Sequence, residues 1–227
     1  MNPFINQPPL VIGMLLYPGF TMLDLVGPLT VFSMHAKLHL LWKTLEPVAS
    51  DSGVGLVPTT LLRDCPEKLD VLFVPGGFGT EAAMADAALI AFLQTAAQRA
   101  DYITSVCSGS LLLGAAGLID GYRATTHWAL HDALSQFGAQ PVKARVVTDR
   151  NRISGGGVTA GIDFGLTVLA QLRGADVARM VQLLMEYDPQ PPFDAGSPEK
   201  AGNAVVNAAL TMMGQIPAPS AHDTIAK

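Results

Sequence analysis

The chain has 227 residues, of which 49% are hydrophobic and only 15% are charged, and its formal net charge is −5. This length fits one large α/β domain, and the composition supplies enough apolar material for a core without disulfides or metals. The acidic balance and the lack of a basic run argue against a nucleic-acid partner, and no apolar run approaches the roughly 20 residues that a membrane-spanning helix needs.

The order of apolar runs along the chain predicts an α/β fold. The expected elements are, in chain order, a strand over 10–16, a helix over 23–35, paired strands within 39–60 around a turn at 50–53, a strand over 70–74, a helix over 86–99, a strand over 103–106, helices over 111–116 and 128–137, a hairpin within 142–153, and helices over 159–172, from Gly174 to Tyr187, and over 198–213. Because proline is best tolerated in a first turn, Gly27-Pro28 places the start of the first helix near residue 28. Strands alternating with helices predict a mainly parallel sheet with helices on both faces.

The termini and the cysteines bear on the compartment and on the domain organisation. We expect one domain over residues 1–227, with a flexible arm over 1–8 and a polar tail over 215–227. The arm is polar and rich in proline, unlike a secretory signal. Cys65 and Cys107 are far apart in the sequence and have no metal-ligand spacing around them. These features predict a cytoplasmic protein with reduced cysteines.

The strongest chemical signal is the segment Ser105-Val106-Cys107-Ser108-Gly109, between a predicted strand and a predicted helix. Small residues on both sides of a central nucleophile are what a tight nucleophile elbow requires. A cysteine at the start of a helix also has its thiolate favoured by the helix dipole, which predicts a lowered pKa for Cys107. The alternative is that Cys107 is a buried core cysteine, which its small neighbours make the weaker interpretation.

Two further loops are expected at the same edge, because parallel sheets place their sites at the carboxyl ends of strands. Pro75-Gly76-Gly77 follows a strand. It is either a plain turn, or it brings the Gly77 amide near a substrate as a second anion donor beside Ser108. Asp24 lies in an apolar segment after the first strand. It is either a helix N-cap, or it faces Cys107, where burial would raise its pKa and suit it to proton transfer.

His127 is the candidate for a cysteine–histidine pair with Cys107. The alternative is that His127 is an N-terminal helix residue with only an indirect contact to the site. The sequence leaves both open, and Cys65 is assigned no role.

Four motifs in combination resemble the ThiJ/PfpI superfamily, which is related in fold to the class I glutamine amidotransferases. The motifs are Asp24-Leu25-Val26-Gly27-Pro28, Val74-Pro75-Gly76-Gly77, Val106-Cys107-Ser108-Gly109-Ser110 and Ile153-Ser154-Gly155-Gly156-Gly157. The resemblance covers most of the chain, from about residue 9 to residue 173, and implies a flavodoxin-like fold. Within the superfamily the pattern is most similar to the isonitrile hydratases, given aspartate at position 24, the run Leu111–Leu118 and the run Gly156–Phe164.

This resemblance implies the hydration of an isonitrile, R–N≡C, to an N-substituted formamide through a thioimidate on the cysteine, with no metal or other cofactor. The partners it implies are a small isonitrile substrate and a second copy of the chain in a homodimer. The expected catalytic residues are Cys107, Asp24 and Ser108, the expected backbone anion donors are Gly77 and Ser108, and the residues expected behind them are His127 and Gly156.

One departure and three alternatives accompany the resemblance. Ser108 stands where the group typically has threonine, which predicts an altered rate rather than lost function. A glyoxalase or deglycase of the superfamily would more often carry glutamate at position 24, and a PfpI-like peptidase would need histidine directly after the cysteine. A non-enzymatic redox or ligand sensor is the third alternative. The basic helix pair of a DNA-binding domain is not seen near the end of the chain.

Overall fold

The computed structural model describes residues 7–214. The strands are β1 (Leu10–Leu15), β2 (Ala36–Trp42), β3 (Val48–Ala49), β4 (Gly55–Leu56), β5 (Thr60–Leu61), β6 (Leu69–Val74), β7 (Ala100–Val106), β8 (Arg123–Ala124), β9 (Gln140–Pro141), β10 (Val146–Asp149) and β11 (Arg152–Gly155). The α-helices are α1 (Met22–Phe32), α2 (Thr80–Met84), α3 (Ala87–Ala97), α4 (Gly109–Ala115), α5 (Ala160–Arg173), α6 (Ala175–Leu184), α7 (Pro198–Ala201) and α8 (Asn203–Met212). Two 3₁₀ helices, Leu62–Asp64 and Trp128–Phe137, complete the described elements.

A seven-stranded sheet in the order β10-β11-β7-β6-β1-β2-β5 forms the centre of the fold. All neighbouring strands are parallel except β10 and β11, which form an antiparallel hairpin. The inner strands are almost continuously apolar and buried, as expected for parallel strands that are covered on both faces. The predicted mainly parallel α/β fold is therefore confirmed.

Helices pack around this sheet in two groups. Helices α1, α5 and α6 contact one another in order, and α2 contacts both α3 and α4. The pair α1 and α5 approaches closely, because a Cβ atom added at Gly165 would lie 3.0 Å from Val31 Cβ. This packing holds the start of α1 beside the carboxyl ends of the central strands.

The first helix begins earlier than the sequence indicates. It runs from Met22, and Pro28 lies inside it, where proline removes one helical hydrogen bond. Burial of Leu25, Val31 and Phe32 on this helix outweighs that loss. The prediction of a start near residue 28 is thus wrong, and Asp24 lies within the first turn of the helix.

Three other elements differ from those predicted. The short helix α2 was not predicted, since only five residues form it. Within 39–60 only β3 and β4 make the expected hairpin, whereas β2 joins the central sheet in parallel with β1. The expected final helix over 198–213 is broken into α7 and α8 at Gly202, whose φ is +77°.

The chain divides into two compact units at the boundary between Tyr187 and Asp188. The described residues 7–187 carry the sheet, and the described residues 188–214 carry α7 and α8. Most of the predicted arm and all of the predicted tail lie outside the described residues. Among the helices at residues 7–214, none is both long and apolar enough to cross a membrane.

Candidate active site

Cys107 occupies a sharp turn between β7, which ends at Val106, and α4, which begins at Gly109. Its φ is +57°, a left-handed conformation that is rare for residues other than glycine and that clusters at functional sites. The Cys107 N–H donates to the carbonyl oxygens of Gly156 (2.8 Å) and Gly155 (3.1 Å). The strand–turn–helix context predicted from the sequence is present in the structure.

Two side-chain hydroxyl groups fix the carbonyl group of Cys107 in the same turn. The Cys107 carbonyl accepts hydrogen bonds from Thr126 Oγ1 at 2.8 Å and from Ser110 Oγ at 3.0 Å. The Cys107 side chain is only 7% exposed. Backbone carbonyls on one side and two side-chain hydroxyl groups on the other thus hold the strained residue in place.

Asp24 lies on α1 and is fully buried, with 0% exposure. Its Oδ2 accepts a hydrogen bond from the Gly76 N–H at 2.9 Å, so it binds another loop instead of capping its own helix, whose N-cap is Thr21. Its Oδ1 has no partner in hydrogen-bond geometry among the described residues. The Asp24 carboxyl interacts with the Cys107 thiol, and of the two roles that the sequence left open the structure places it at the thiol.

Burial is the main cause of the raised pKa values of Asp24 and Cys107. Loss of solvation raises the pKa of Asp24 to about 7, against the opposing effects of the Gly76 amide and of Cys107. Burial, followed by the nearby Asp24 charge, raises the pKa of Cys107 to about 12. Both shifts have the sign expected for acidic groups removed from water. At neutral pH these values leave the thiol protonated and the carboxyl group partly ionised.

Two backbone amides oppose the shift of the thiol. The N–H groups of Val158 and Ser108 hydrogen-bond to the Cys107 sulfur and lower its pKa. They do not overcome burial, so the predicted net lowering of the thiol pKa by the start of α4 is wrong. The two amides nevertheless mark where negative charge on sulfur is stabilised.

Val158 is the participant that the sequence analysis missed. Its φ is +26°, which is an outlier for a β-branched residue. It follows Gly155-Gly156-Gly157 in the chain, and this glycine run was the available signal that the backbone approaches closely here. Nothing in the sequence singled out Val158 itself, because every residue except proline carries an amide.

The loop after β6 presses directly against the elbow. A Cβ atom added at Gly76 would lie 2.5 Å from Ser108 N and 2.8 Å from Cys107 Cβ, so only glycine fits there. The Gly77 N–H donates to Ser108 Oγ at 2.9 Å. The Gly77 amide, predicted to be a second anion donor, is therefore engaged by a side chain, and the second amide at the sulfur is that of Val158.

His127 lies beside the site without contacting the thiol through any hydrogen bond found in the described part of the chain. Its Nδ1 accepts from the Ala129 N–H at 3.4 Å, as the cap of the following 3₁₀ helix. A Cβ atom at Gly157 would lie 2.6 Å from His127 Cδ2. Burial lowers the pKa of His127. The structure thus places it behind the glycine run, whereas Gly156 touches Cys107 directly through its carbonyl.

The arrangement combines a buried cysteine sulfur, a buried carboxyl group whose pKa is raised to about 7, and two amides directed at the sulfur. Within residues 7–214, no group of three or more His, Cys, Asp or Glu side chains is placed to hold a metal ion. Such a site can attack an electrophilic carbon and move the associated proton through Asp24.

Comparison with known proteins gives three findings. The model of the DJ-1/PfpI family matches residues 11–171. Isonitrile hydratase of Pseudomonas putida is 54% identical over 202 residues, which cover 88% of this chain and 88% of that protein. The crystal structure of a ThiJ/PfpI family protein from Pseudomonas syringae has a TM-score of 0.90 and 52% identity, covering 95% of this chain and 92% of that chain.

A more distant relative is longer. The HTH-type transcriptional regulator GbdR of Pseudomonas aeruginosa is 29% identical over 193 residues, which cover 81% of this chain and 52% of the regulator. The likeness to the regulator is thus confined to about half of its length.

Proposed function

The chain belongs to the DJ-1/PfpI family, and on that premise we propose that it is an isonitrile hydratase, a hydro-lyase that adds water to R–N≡C to give R–NH–CHO. The observation that carries this proposal is the buried pair of Asp24 and Cys107 in a chain that is 54% identical to an isonitrile hydratase. The pair can supply both the nucleophile and the proton transfers that the reaction needs.

In the first half of the proposed reaction the Cys107 sulfur bonds to the terminal carbon of the isonitrile. The Asp24 carboxylate accepts the thiol proton as this bond forms, while one π-electron pair of the triple bond moves to nitrogen. The lone pair on carbon then takes the proton back from Asp24. The product is the thioimidate R–N=CH–S–Cys107, and Asp24 is again a carboxylate.

In the second half Asp24 accepts a proton from water as the water oxygen bonds to the thioimidate carbon. The π-electron pair of the C=N bond moves to nitrogen, which takes that proton. Asp24 then removes the remaining hydroxyl proton as the C–O double bond forms and the C–S bond breaks. The sulfur leaves with the bonding pair and receives this proton, which regenerates the thiol and releases the formamide.

The backbone around the pair has a separate role in this proposal. The amides of Ser108 and Val158 stabilise negative charge on the sulfur when it attacks and when it leaves. Gly77 and Gly156 hold the two flanking loops through Ser108 Oγ and the Cys107 N–H. His127 supports the glycine run from behind.

Two further properties belong to the proposal. We place the protein in the cytoplasm, because Cys65 and Cys107 are both free and buried and a reducing compartment keeps such thiols intact. We also expect a homodimer, the commonest assembly of soluble proteins. Sedimentation at micromolar concentration that gives the 23.9 kDa mass of one chain would contradict the dimer.

The proposed function is tested with a simple aryl isonitrile and detection of the formamide by liquid chromatography. The native protein should turn the isonitrile over, and Cys107→Ala should not. Cys65→Ala is the matched control, since it removes the other buried thiol and should leave turnover intact. If the native protein has no hydratase activity but converts a 2-oxoaldehyde, the glyoxalase alternative is correct. Binding of a small ligand without turnover of either substrate supports the sensor alternative.

A further inference from the structure

Three buried hydroxyl groups form a continuous chain that ends at the residue after the nucleophile. Tyr17 Oη lies 3.1 Å from Thr80 Oγ1, which lies 2.7 Å from Ser108 Oγ. All three residues are at most 5% exposed. They come from separate segments, namely the end of β1, the start of α2 and the elbow.

The neighbouring carbonyl groups determine which of these three hydroxyl groups donates and which accepts in each hydrogen bond. Thr80 donates to the Gly77 carbonyl at 2.7 Å, and Tyr17 shares its proton between the Pro75 carbonyl at 2.9 Å and Thr80 Oγ1 at 3.1 Å in a three-centre hydrogen bond. Each hydroxyl carries one proton. Ser108 therefore donates to Thr80 Oγ1, because its other acceptor, the Gly77 carbonyl, lies 3.4 Å away. Burial raises the pKa of Tyr17 far above its ordinary value, so Tyr17 remains a donor.

The three hydroxyl groups connect the loop after β6 to the turn that carries Cys107. Ser108 Oγ receives the Gly77 N–H and donates to Thr80, so the side chain of Ser108 is held by two groups of that loop. The amide of the same residue hydrogen-bonds to the Cys107 sulfur. The orientation of the Ser108 side chain and the placement of its amide are thereby connected.

We propose that Thr80, supported by Tyr17, is a positioning residue that holds Ser108 so that its amide stays on the sulfur of Cys107. Thr80 does not touch the reacting atoms. This inference rests on the proposed role of Cys107 as a nucleophile, and it holds whichever electrophile the enzyme uses. Its effect is on the fraction of thiolate at a given pH and on the rate of the chemical step.

The test is the rate of alkylation of Cys107 by iodoacetamide between pH 6 and pH 10, followed by mass spectrometry so that Cys65 is counted separately. Thr80→Val should slow alkylation at pH 8 about tenfold, since one pKa unit is a factor of ten in thiolate. Thr80→Ser keeps the hydroxyl and should stay within about twofold of the native protein. Tyr17→Phe should slow alkylation about threefold and serves as the test if Thr80→Val does not fold.

Thr104→Val is the matched control, because Thr104 is also fully buried and donates to a backbone carbonyl, that of Leu72 at 3.0 Å. It should lower the urea midpoint as Thr80→Val does and leave the alkylation profile unchanged. Alkylation of Thr80→Val at the native rate, or an equal loss in both valine variants, would overturn the inference. A slowed Thr80→Val in a protein whose native form hydrates no isonitrile would sustain the inference and refute the proposed function.

Discussion

The carboxyl group of Asp24 and the thiol of Cys107 interact in one buried site, although the first belongs to the opening turn of α1 and the second to the turn after β7. Both groups lose solvent, so each has a raised pKa, to about 7 for Asp24 and to about 12 for Cys107. At neutral pH the Asp24 carboxyl group is partly ionised, so the thiol has a proton acceptor beside it. This relationship underlies the following predictions.

The pH dependence of kcat/KM should reflect the ionisation of Asp24. The ionised carboxylate is needed to accept the thiol proton, so kcat/KM for an aryl isonitrile should rise with pH through an apparent pKa of about 7 and then stay level to about pH 10. Asp24→Asn removes the acceptor and should lower kcat at least about a hundredfold, which is a usual contribution of a positioned acid/base. Steady-state rates between pH 5 and pH 10 give the measurement.

His127 provides the control for that profile, because histidine also titrates near neutrality. Asparagine keeps a cap acceptor for the Ala129 amide, so His127→Asn should fold normally. The kcat/KM of His127→Asn should still rise near pH 7, and its kcat should stay within about fivefold of the native value. A rise that vanishes in His127→Asn and persists in Asp24→Asn would assign the proton transfer to histidine.

The free energy of unfolding should also depend on pH through Asp24, and the raised pKa of Asp24 determines whether stability rises or falls with pH. Between the ordinary value of 3.8 and about 7, the folded protein keeps a proton that the unfolded chain has lost. Its contribution is therefore present at low pH and lost as pH rises to 7, by up to about 4 kcal/mol. Urea unfolding at pH 4 and pH 7 should show Asp24→Asn gaining on the native protein as pH rises. An equal difference at both pH values would show that folding does not raise the pKa of Asp24.

The close approach of the loop after β6 predicts that Gly76→Ala is severe. The new methyl would lie 2.5 Å from Ser108 N, so the loop must move from the elbow. We expect a loss of about 1–3 kcal/mol in the free energy of unfolding, as for other overpacked sites, together with loss of turnover. Gly196→Ala, where a Cβ meets nothing within 4 Å, is the matched control. Activity of Gly76→Ala equal to that of Gly196→Ala would contradict the described contact.

Two substitutions of Ser108 should distinguish the effect of its hydroxyl group from the effect of its size. Ser108→Ala leaves the part-buried Gly77 N–H without its acceptor and should destabilise the protein by about 1 kcal/mol, the low end of the effect of an unpaired donor. Ser108→Thr keeps the hydroxyl, so it should retain turnover and change kcat by no more than about fivefold. Thermal unfolding and steady-state kinetics measure both effects. An alanine variant as stable and active as the threonine variant would show that the hydroxyl is dispensable.

The sheet could be predicted from the sequence because its strands are buried on both faces and thus appear as continuous apolar runs. The elbow could be predicted because small residues surround Cys107 between a strand and a helix. The start of α1 could not, since the penalty of Pro28 is local and the burial that outweighs it is tertiary.

The parts of the site that stayed open depend on packing between distant segments. Asp24 could have capped α1 or faced Cys107, and only the fit of α1 against α5 places it at the sulfur. Local reasoning gave the wrong sign for the thiol pKa, because the helix start was visible in the sequence whereas burial was not. Val158 was missed because its contribution is a backbone amide in a strained conformation that the surrounding fold imposes.

The covalent thioimidate on Cys107 is the central claim, and intact mass spectrometry under single-turnover conditions tests it most directly. The native protein is mixed with an excess of aryl isonitrile and quenched in acid at millisecond intervals, alongside Asp24→Asn and Cys107→Ala. We predict a transient species heavier by the mass of the isonitrile, located on the peptide that contains Cys107 and absent from Cys107→Ala. Formamide production by the native protein with no such species at any interval, or turnover by Cys107→Ala, would contradict the account.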